Sequence, residues 1–87
     1  MKMIVMYSKA NCPFCKQAEI LLKHRGVTQI TIYRVDTNPD FLAEMMSRTS
    51  RRTVPQIYLG DIHVGGYDEL VALDRQGQLA ILLSPES

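Results

Sequence analysis

The chain opens on an unbroken apolar run. Met3-Ile4-Val5-Met6-Tyr7 shows no polar alternation, which predicts a central strand buried on both faces. Ser8 to Asn11 is polar and predicts a loop. Pro13 suits the first position of a helix. Phe14, Ala18, Leu21 and Leu22 then recur at helical spacing up to Arg25, and Gly26 suits the left-handed position just past a helix end. Gln29 to Val35 is rich in β-branched residues (Ile30, Thr31, Ile32, Val35) and predicts a second strand. Asn38-Pro39-Asp40 supplies a cap, a first-turn proline and an acid for the helix dipole. Phe41, Leu42, Met45 and Met46 give the second helix its stripe, and Ser47 to Thr53 reads as a polar, basic connection. Beyond Pro55, Gln56–Leu59 and Ile62–Val64 flank a Gly60-Asp61 turn and predict a β-hairpin. Gly65-Gly66 leads into a third helix over Tyr67–Leu73. Asp74 to Gly77 breaks that pattern, and Leu79–Leu83 predicts a short final helical turn.

The resulting order is strand, helix, strand, helix, strand, strand, helix. The first crossover must be right-handed and must join parallel strands. The hairpin adds antiparallel strands to the same sheet, with helices on both faces. The fold class is therefore α/β with a mixed sheet, and 87 residues suffice for one domain spanning positions 1–87. A domain of this size buries about 60–65% of its unfolded surface, and with 46% hydrophobic residues a core is available without staples. Ten basic against nine acidic residues argue against a nucleic-acid arm or a polybasic membrane patch. No apolar run approaches the roughly 20 residues of a membrane span. The run at Met1–Tyr7 is too short for a signal peptide and lacks a small-residue cleavage site. The expected compartment is the cytoplasm.

Candidate chemistry centres on the only two cysteines, in Cys12-Pro13-Phe14-Cys15. So small a loop constrains little chain entropy, which makes this pair a poor structural staple. A thiolate is the attacking species, and a free cysteine of pKa about 8.5 is ionised to only a few per cent at neutral pH. Cys12 falls at the predicted start of the first helix, where unpaired N–H groups and the dipole stabilise an anion. Lys9 and Lys16 add positive potential. Cys15, one turn inside, can form a disulfide with Cys12. Cys12 is thus the attacking thiol and Cys15 the resolving one, expected to be less exposed. Phe14 suits the mouth of the site, although its spacing also fits the core stripe. The pair could instead be half of a zinc site, but zinc wants four ligands. His24 and His63 lie in unrelated elements and read as ordinary surface or strand-face histidines, so no metal is expected. The methionines of the second helix read as core.

On this strand-to-helix dithiol, together with Thr53-Val54-Pro55 and Gly65-Gly66-Tyr67-Asp68-Glu69-Leu70 further along, the chain resembles a dithiol glutaredoxin of the bacterial type. The resemblance runs from Met3 to about Leu83. It implies a thioredoxin-like fold with a four-stranded mixed sheet in order 2-1-3-4, and a cis Pro55 facing the dithiol. It also implies a glutathione site. Lys9 attracts the glycine carboxylate, and Phe14 packs beside the bound thiol. The Val54 backbone pairs with the cysteinyl part, and Thr53 flanks that contact. Gly66, Tyr67 and Asp68 meet the γ-glutamyl end, where Asp68 accepts from the ammonium group. Two positions depart from the commoner pattern: Phe14 stands where tyrosine is more usual, and Tyr67 fills a place that is often small. Arg51 and Arg52 read as solvated loop charges, with Arg52 helping the glycine carboxylate as the sharper alternative.

The activity implied is a glutathione-dependent thiol–disulfide oxidoreductase that reduces protein disulfides and glutathione mixed disulfides. Its redox-active disulfide would be Cys12–Cys15. Glutathione would be electron donor and co-substrate, with no permanently bound cofactor. The expected partners are glutathione and glutathionylated or disulfide-containing proteins, with ribonucleotide reductase a family-level possibility, and the expected state is a monomer. Two alternatives stay open: a redoxin reduced by thioredoxin reductase, and a glutathione-assisted iron–sulfur cluster carrier.

Overall fold

A computed structural model describes residues 3–83. The apolar opening run forms strand β1 (Ile4–Ser8), buried at every position. It extends one residue past the expected end, because the Ser8 carbonyl accepts from the Val35 N–H at 2.9 Å. Helix α1 (Pro13–His24) follows, and Gly26 behind it has φ +96. Strand β2 (Thr31–Arg34) is shorter than the β-branched run of the sequence. These four residues pair in parallel with Val5 to Ser8 of β1, and Val35 adds only its N–H to the Ser8 carbonyl.

Helix α2 (Pro39–Thr49) starts as its sequence requires. Asn38 accepts from the Asp40 N–H at 3.0 Å, and Pro39 opens the first turn. It ends three residues later than the apolar stripe implied. The Thr49 hydroxyl donates to the Met45 carbonyl at 2.7 Å, and Ser50 takes a left-handed conformation with its N–H on the Met46 carbonyl. Ser47 and Arg48, read as connection, belong to this last turn; Ser47 is exposed, and Arg48 reaches back over the sheet. Strands β3 (Gln56–Leu59) and β4 (Ile62–Gly65) form the hairpin, with an irregular register at Ile57/Tyr58. Helix α3 (Tyr67–Arg75) runs two residues past Leu73, and α4 (Gln78–Leu83) closes the described chain. Gly77, with φ +76, makes the break between them.

The sheet order is β2-β1-β3-β4, with β1 antiparallel to β3 and β3 antiparallel to β4. Alternation along β1 and β3 sorts the core into two layers. Ile4, Met6, Ile57 and Leu59 join Ala18 and Leu22 of α1, Leu70 of α3 and Leu79 of α4. Val5, Tyr7 and Tyr58 face the other way and join Met45 of α2. Helices thus cover both faces. Among the described residues no helix is long and apolar enough to cross a membrane.

The α2 layer carries a buried phenol. The Tyr7 ring is fully buried, its hydroxyl donates to Glu44, and it accepts from Arg48 Nη1 at 3.0 Å. The Arg48 guanidinium also sits 4.0 Å above the Tyr58 ring, a favourable cation–π position. Burial first, and then the Glu44 carboxylate, push the Tyr7 phenol from 10.0 up to about 12.

Two outcomes follow from this packing. Removing the α2 cap with Asn38→Ala should cost about 1 kcal/mol in urea unfolding, with an unchanged denaturant slope. A phenol whose folded pKa is raised adds stability below its unfolded value and loses it as pH climbs through the folded value. Stability should therefore fall between pH 10 and about 12. Tyr7→Phe should flatten that part of the stability–pH curve relative to wild type. Identical alkaline slopes would rule out this role.

Candidate active site

The dithiol lies where a buried strand hands over to a helix. Cys12 is the residue before α1, with φ −110 and ψ 100, and Pro13 holds the first helical position. The Cys15 N–H points at Cys12 Sγ, 3.2 Å away, and the Lys16 N–H donates to the Cys12 carbonyl at 3.1 Å. The sulfur therefore occupies the place that a Ser or Asp oxygen takes at an ordinary helix start. The first turn of α1 contains no acidic residue, so nothing within it opposes the positive end of the dipole. Cys12 and Cys15 form a disulfide with Cα atoms 5.2 Å apart. Their burial differs little, at 5% and 3% exposed. Cys15 is the less exposed of the two, as expected, but only slightly.

The loop leading into Cys12 is pinned from a neighbouring element. The Ala10 N–H donates to Asp36 Oδ2 at 3.0 Å, and Arg34 grips the same carboxylate with two contacts of 2.7 Å. The Arg34 hydrogen bonds, followed by that of Ala10, hold the Asp36 carboxyl far below the usual carboxylate range. Asn11 takes positive φ (+55) in this loop, a conformation that asparagine tolerates better than most residues.

A cleft of about 230 Å³ opens beside Phe14 of the dithiol motif. Its walls bring together Phe14, Thr53, Val54, Pro55, Gly66, Tyr67 and Asp68, which the sequence holds in three separate segments. The Val54–Pro55 bond is cis. Phe14 is 59% exposed, so it stands outside the core stripe of α1. It stacks on Tyr67 with ring centres 5.8 Å apart. That contact joins the start of α1 to the start of α3. Lys9 lies exposed in the loop after β1 and is not part of the cleft wall. Of the two adjacent arginines, Arg51 lines the cleft and Arg52 does not.

Gln56 and Glu69 also line the cleft, and the sequence reading gave neither a role. Gln56 hides in a strand of otherwise apolar residues. Glu69 had a legible signal, standing three residues after the cap position, where a glutamate can reach back to the cap N–H. It accepts from the Gly66 N–H at 2.6 Å, and Arg51 Nη1 lies 3.3 Å from both its oxygens. Those two contacts, Gly66 first, lower its pKa. Gly65 has φ +112, and a Cβ there would stand 2.6 Å from Glu69 Oε1.

A carboxylate with a depressed folded pKa stabilises above its unfolded value, and this is lost as pH falls through the folded one. Glu69→Ala should therefore lower stability at pH 7 by about 0.5–1 kcal/mol, the usual worth of a helix-start contact on an exposed surface. The deficit should vanish in acid, as read by thermal unfolding at both pH values.

Comparison with known proteins agrees with this arrangement. The family model described as Glutaredoxin matches residues 4–64. A glutaredoxin of Neisseria meningitidis serogroup A is 42% identical over 85 residues, covering 98% of this chain and all of the relative. The solution structure of a glutaredoxin from Brucella melitensis superposes with a TM-score of 0.83 at 37% identity, covering 100% of this chain and 94% of the other. The crystal structure of a buckwheat glutaredoxin–glutathione complex superposes at 0.84 with 28% identity, covering 94% and 76%. With its paired cysteines at the head of α1 and its sheet in the order β2-β1-β3-β4, the chain belongs to the glutaredoxin family, and its dithiol makes it a thiol–disulfide oxidoreductase.

Proposed function

We propose that this glutaredoxin takes its electrons from glutathione and reduces both protein disulfides and glutathione mixed disulfides through Cys12 and Cys15. The observation that carries this reading is the cleft beside Phe14, whose walls supply the right groups for a short, charged, extended peptide. The Val54 backbone offers strand-like pairing to a cysteinyl residue, with Thr53 beside it and Pro55 behind. The first N–H groups of α3, at Tyr67 and Asp68, have no acceptor within the helix and suit the γ-glutamyl carboxylate. The Asp68 carboxylate suits the ammonium group, and Gly66 leaves room for the backbone to approach. Lys9 and the cleft-lining Arg51 draw the glycine carboxylate by longer-range attraction. A buckwheat glutaredoxin of the same fold is known in complex with glutathione.

In the one-thiol route, the Cys12 thiolate attacks the glutathione sulfur of a mixed disulfide. The protein thiolate leaves and is protonated. A second glutathione thiolate attacks the sulfur held on Cys12, releasing oxidised glutathione and regenerating the thiolate. In the two-thiol route, Cys12 attacks a protein disulfide and frees one thiol. Cys15 then attacks the Cys12 sulfur, frees the second thiol, and leaves Cys12–Cys15 oxidised. Two glutathiones restore the dithiol, and their two electrons appear in oxidised glutathione. The Cys15 N–H, already aimed at Cys12 Sγ, favours charge on that sulfur both as nucleophile and as leaving group. The working state is a cytoplasmic monomer, where reduced glutathione is the available thiol pool.

Cys12→Ser should reduce turnover of a glutathionylated peptide to the uncatalysed background. Cys15→Ser should keep this activity and lose protein-disulfide reduction. The reverse pattern would exchange the two roles. Supplying NADPH through glutathione reductase or through thioredoxin reductase tests the donor. Turnover with thioredoxin reductase alone would refute the use of glutathione.

A further inference from the structure

Beside the Thr53-Val54-Pro55 turn lies a chain of contacts that redox chemistry alone does not require. Gln56 is 1% exposed, in a strand whose other members, Ile57, Tyr58 and Leu59, are apolar or aromatic. A buried amide needs partners for both of its ends. Its Nε2 donates to the Thr53 carbonyl at 3.0 Å and to Thr53 Oγ1 at 3.3 Å. Its Oε1 lies 2.8 Å from His63 Nε2 of β4. The His63 ring stacks on Tyr58 with centres 4.9 Å apart.

These contacts fix each other's direction. A carbonyl can only accept, so the amide nitrogen must face Thr53. The amide oxygen must then face His63, and an oxygen needs a donor. His63 Nε2 therefore carries the proton, and the stack on Tyr58 sets the plane of its ring. The Nε2–H donates whether the imidazole is neutral or charged.

We infer that Gln56 and His63 are positioning residues for the thiol–peptide site: His63 orients the Gln56 amide, and that amide holds the backbone at Thr53 so that the next residue, Val54, presents its strand-like groups to the bound peptide. The inference rests on the glutathione reading given above and adds residues to it. Gln56 and His63 need not touch the peptide. Because backbone pairing holds a ground state and a transition state alike, its loosening weakens binding without slowing the chemical step.

Gln56→Glu separates the contacts. It keeps the shape and the acceptor facing His63 but puts an oxygen where Thr53 needs a donor. His63→Phe keeps a ring on Tyr58 and removes the donor, whereas His63→Gln restores a donor. Steady-state turnover of a glutathionylated peptide with glutathione, glutathione reductase and NADPH reads the effect, with thermal unfolding as the control for folding. Gln56→Glu should raise KM for the peptide about five- to tenfold with kcat within about twofold, the loss expected for one buried hydrogen bond. His63→Phe should raise KM about threefold, and His63→Gln should bring it back, as expected for a weaker, indirect contact. The ring-nitrogen NMR shifts of wild-type His63 should show the proton on Nε2. That measurement and the His63 pair carry the test should Gln56→Glu fail to fold. A proton on Nδ1, or an unchanged KM in His63→Phe or in folded Gln56→Glu, overturns the positioning role while wild type still turns the peptide over. A wild type that ignores the peptide overturns the glutathione reading and this role with it.

Discussion

Strand β1 has no free edge and no free face. β2 pairs with it on one side and β3 on the other, and all five of its residues are buried. An element so enclosed can hold only apolar or fully satisfied groups, and the chain must turn out of it where it ends. The dithiol sits four residues past that end. Its position is set by the most enclosed strand of the sheet, while its chemistry is carried by the helix start that follows. Asp36, from the loop after β2, ties this departing segment at Ala10. Register in the sheet thus reaches the reactive sulfur through a few short covalent and hydrogen-bonded links.

The two helix starts around the cleft are built on opposite electrostatic plans. The first turn of α1 has no acid and is capped by sulfur. The first turn of α3 carries Asp68 and Glu69. Both present unpaired N–H groups, yet α1 leaves its positive end for a developing thiolate whereas α3 has carboxylates beside its own. One of these, Glu69, turns back onto the Gly66 N–H and toward Arg51. Asp68 lines the cleft. On the proposed function, an attacking anion would form at one helix start and a zwitterionic peptide end would settle at the other, with the Phe14–Tyr67 stack spanning the gap.

Local patterns carried most of the fold. The apolar run of β1, the Asn38-Pro39 start of α2 and the Gly60-Asp61 hairpin each have a cause within a few residues. Helix ends were less legible. α2 gains its last turn from the Thr49 hydroxyl and a left-handed Ser50, neither of which an apolar stripe encodes. β2 was overextended because β-branched content marks what can pair, whereas the partner strand decides what does. In the site, motif residues were visible as motifs. Their assembly was not, because the stack of Phe14 on Tyr67 and the reach of Arg51 to Glu69 join positions far apart in sequence. Gln56 was hidden for a different reason. A polar residue in a buried strand announces that it has partners, but Thr53 and His63 are fixed only once β3 and β4 are paired.

The packing at Gly65 binds a turn to the helix that follows it. Its backbone stands at φ +112, and the space its side chain would need is already filled by the Glu69 carboxylate. Two barriers of different origin therefore guard one position: one conformational, the other steric and set four residues away. Shortening Glu69 would lift only the second, and in doing so would strip the Gly66 N–H and Arg51 of their acceptor. A side chain at position 65 would have to push the Glu69 carboxylate aside and would still be strained by its own backbone. Backbone conformation at Gly65, the cap at Gly66 and the Arg51 contact thus depend on one carboxylate, so a change at any of them is felt at the start of α3.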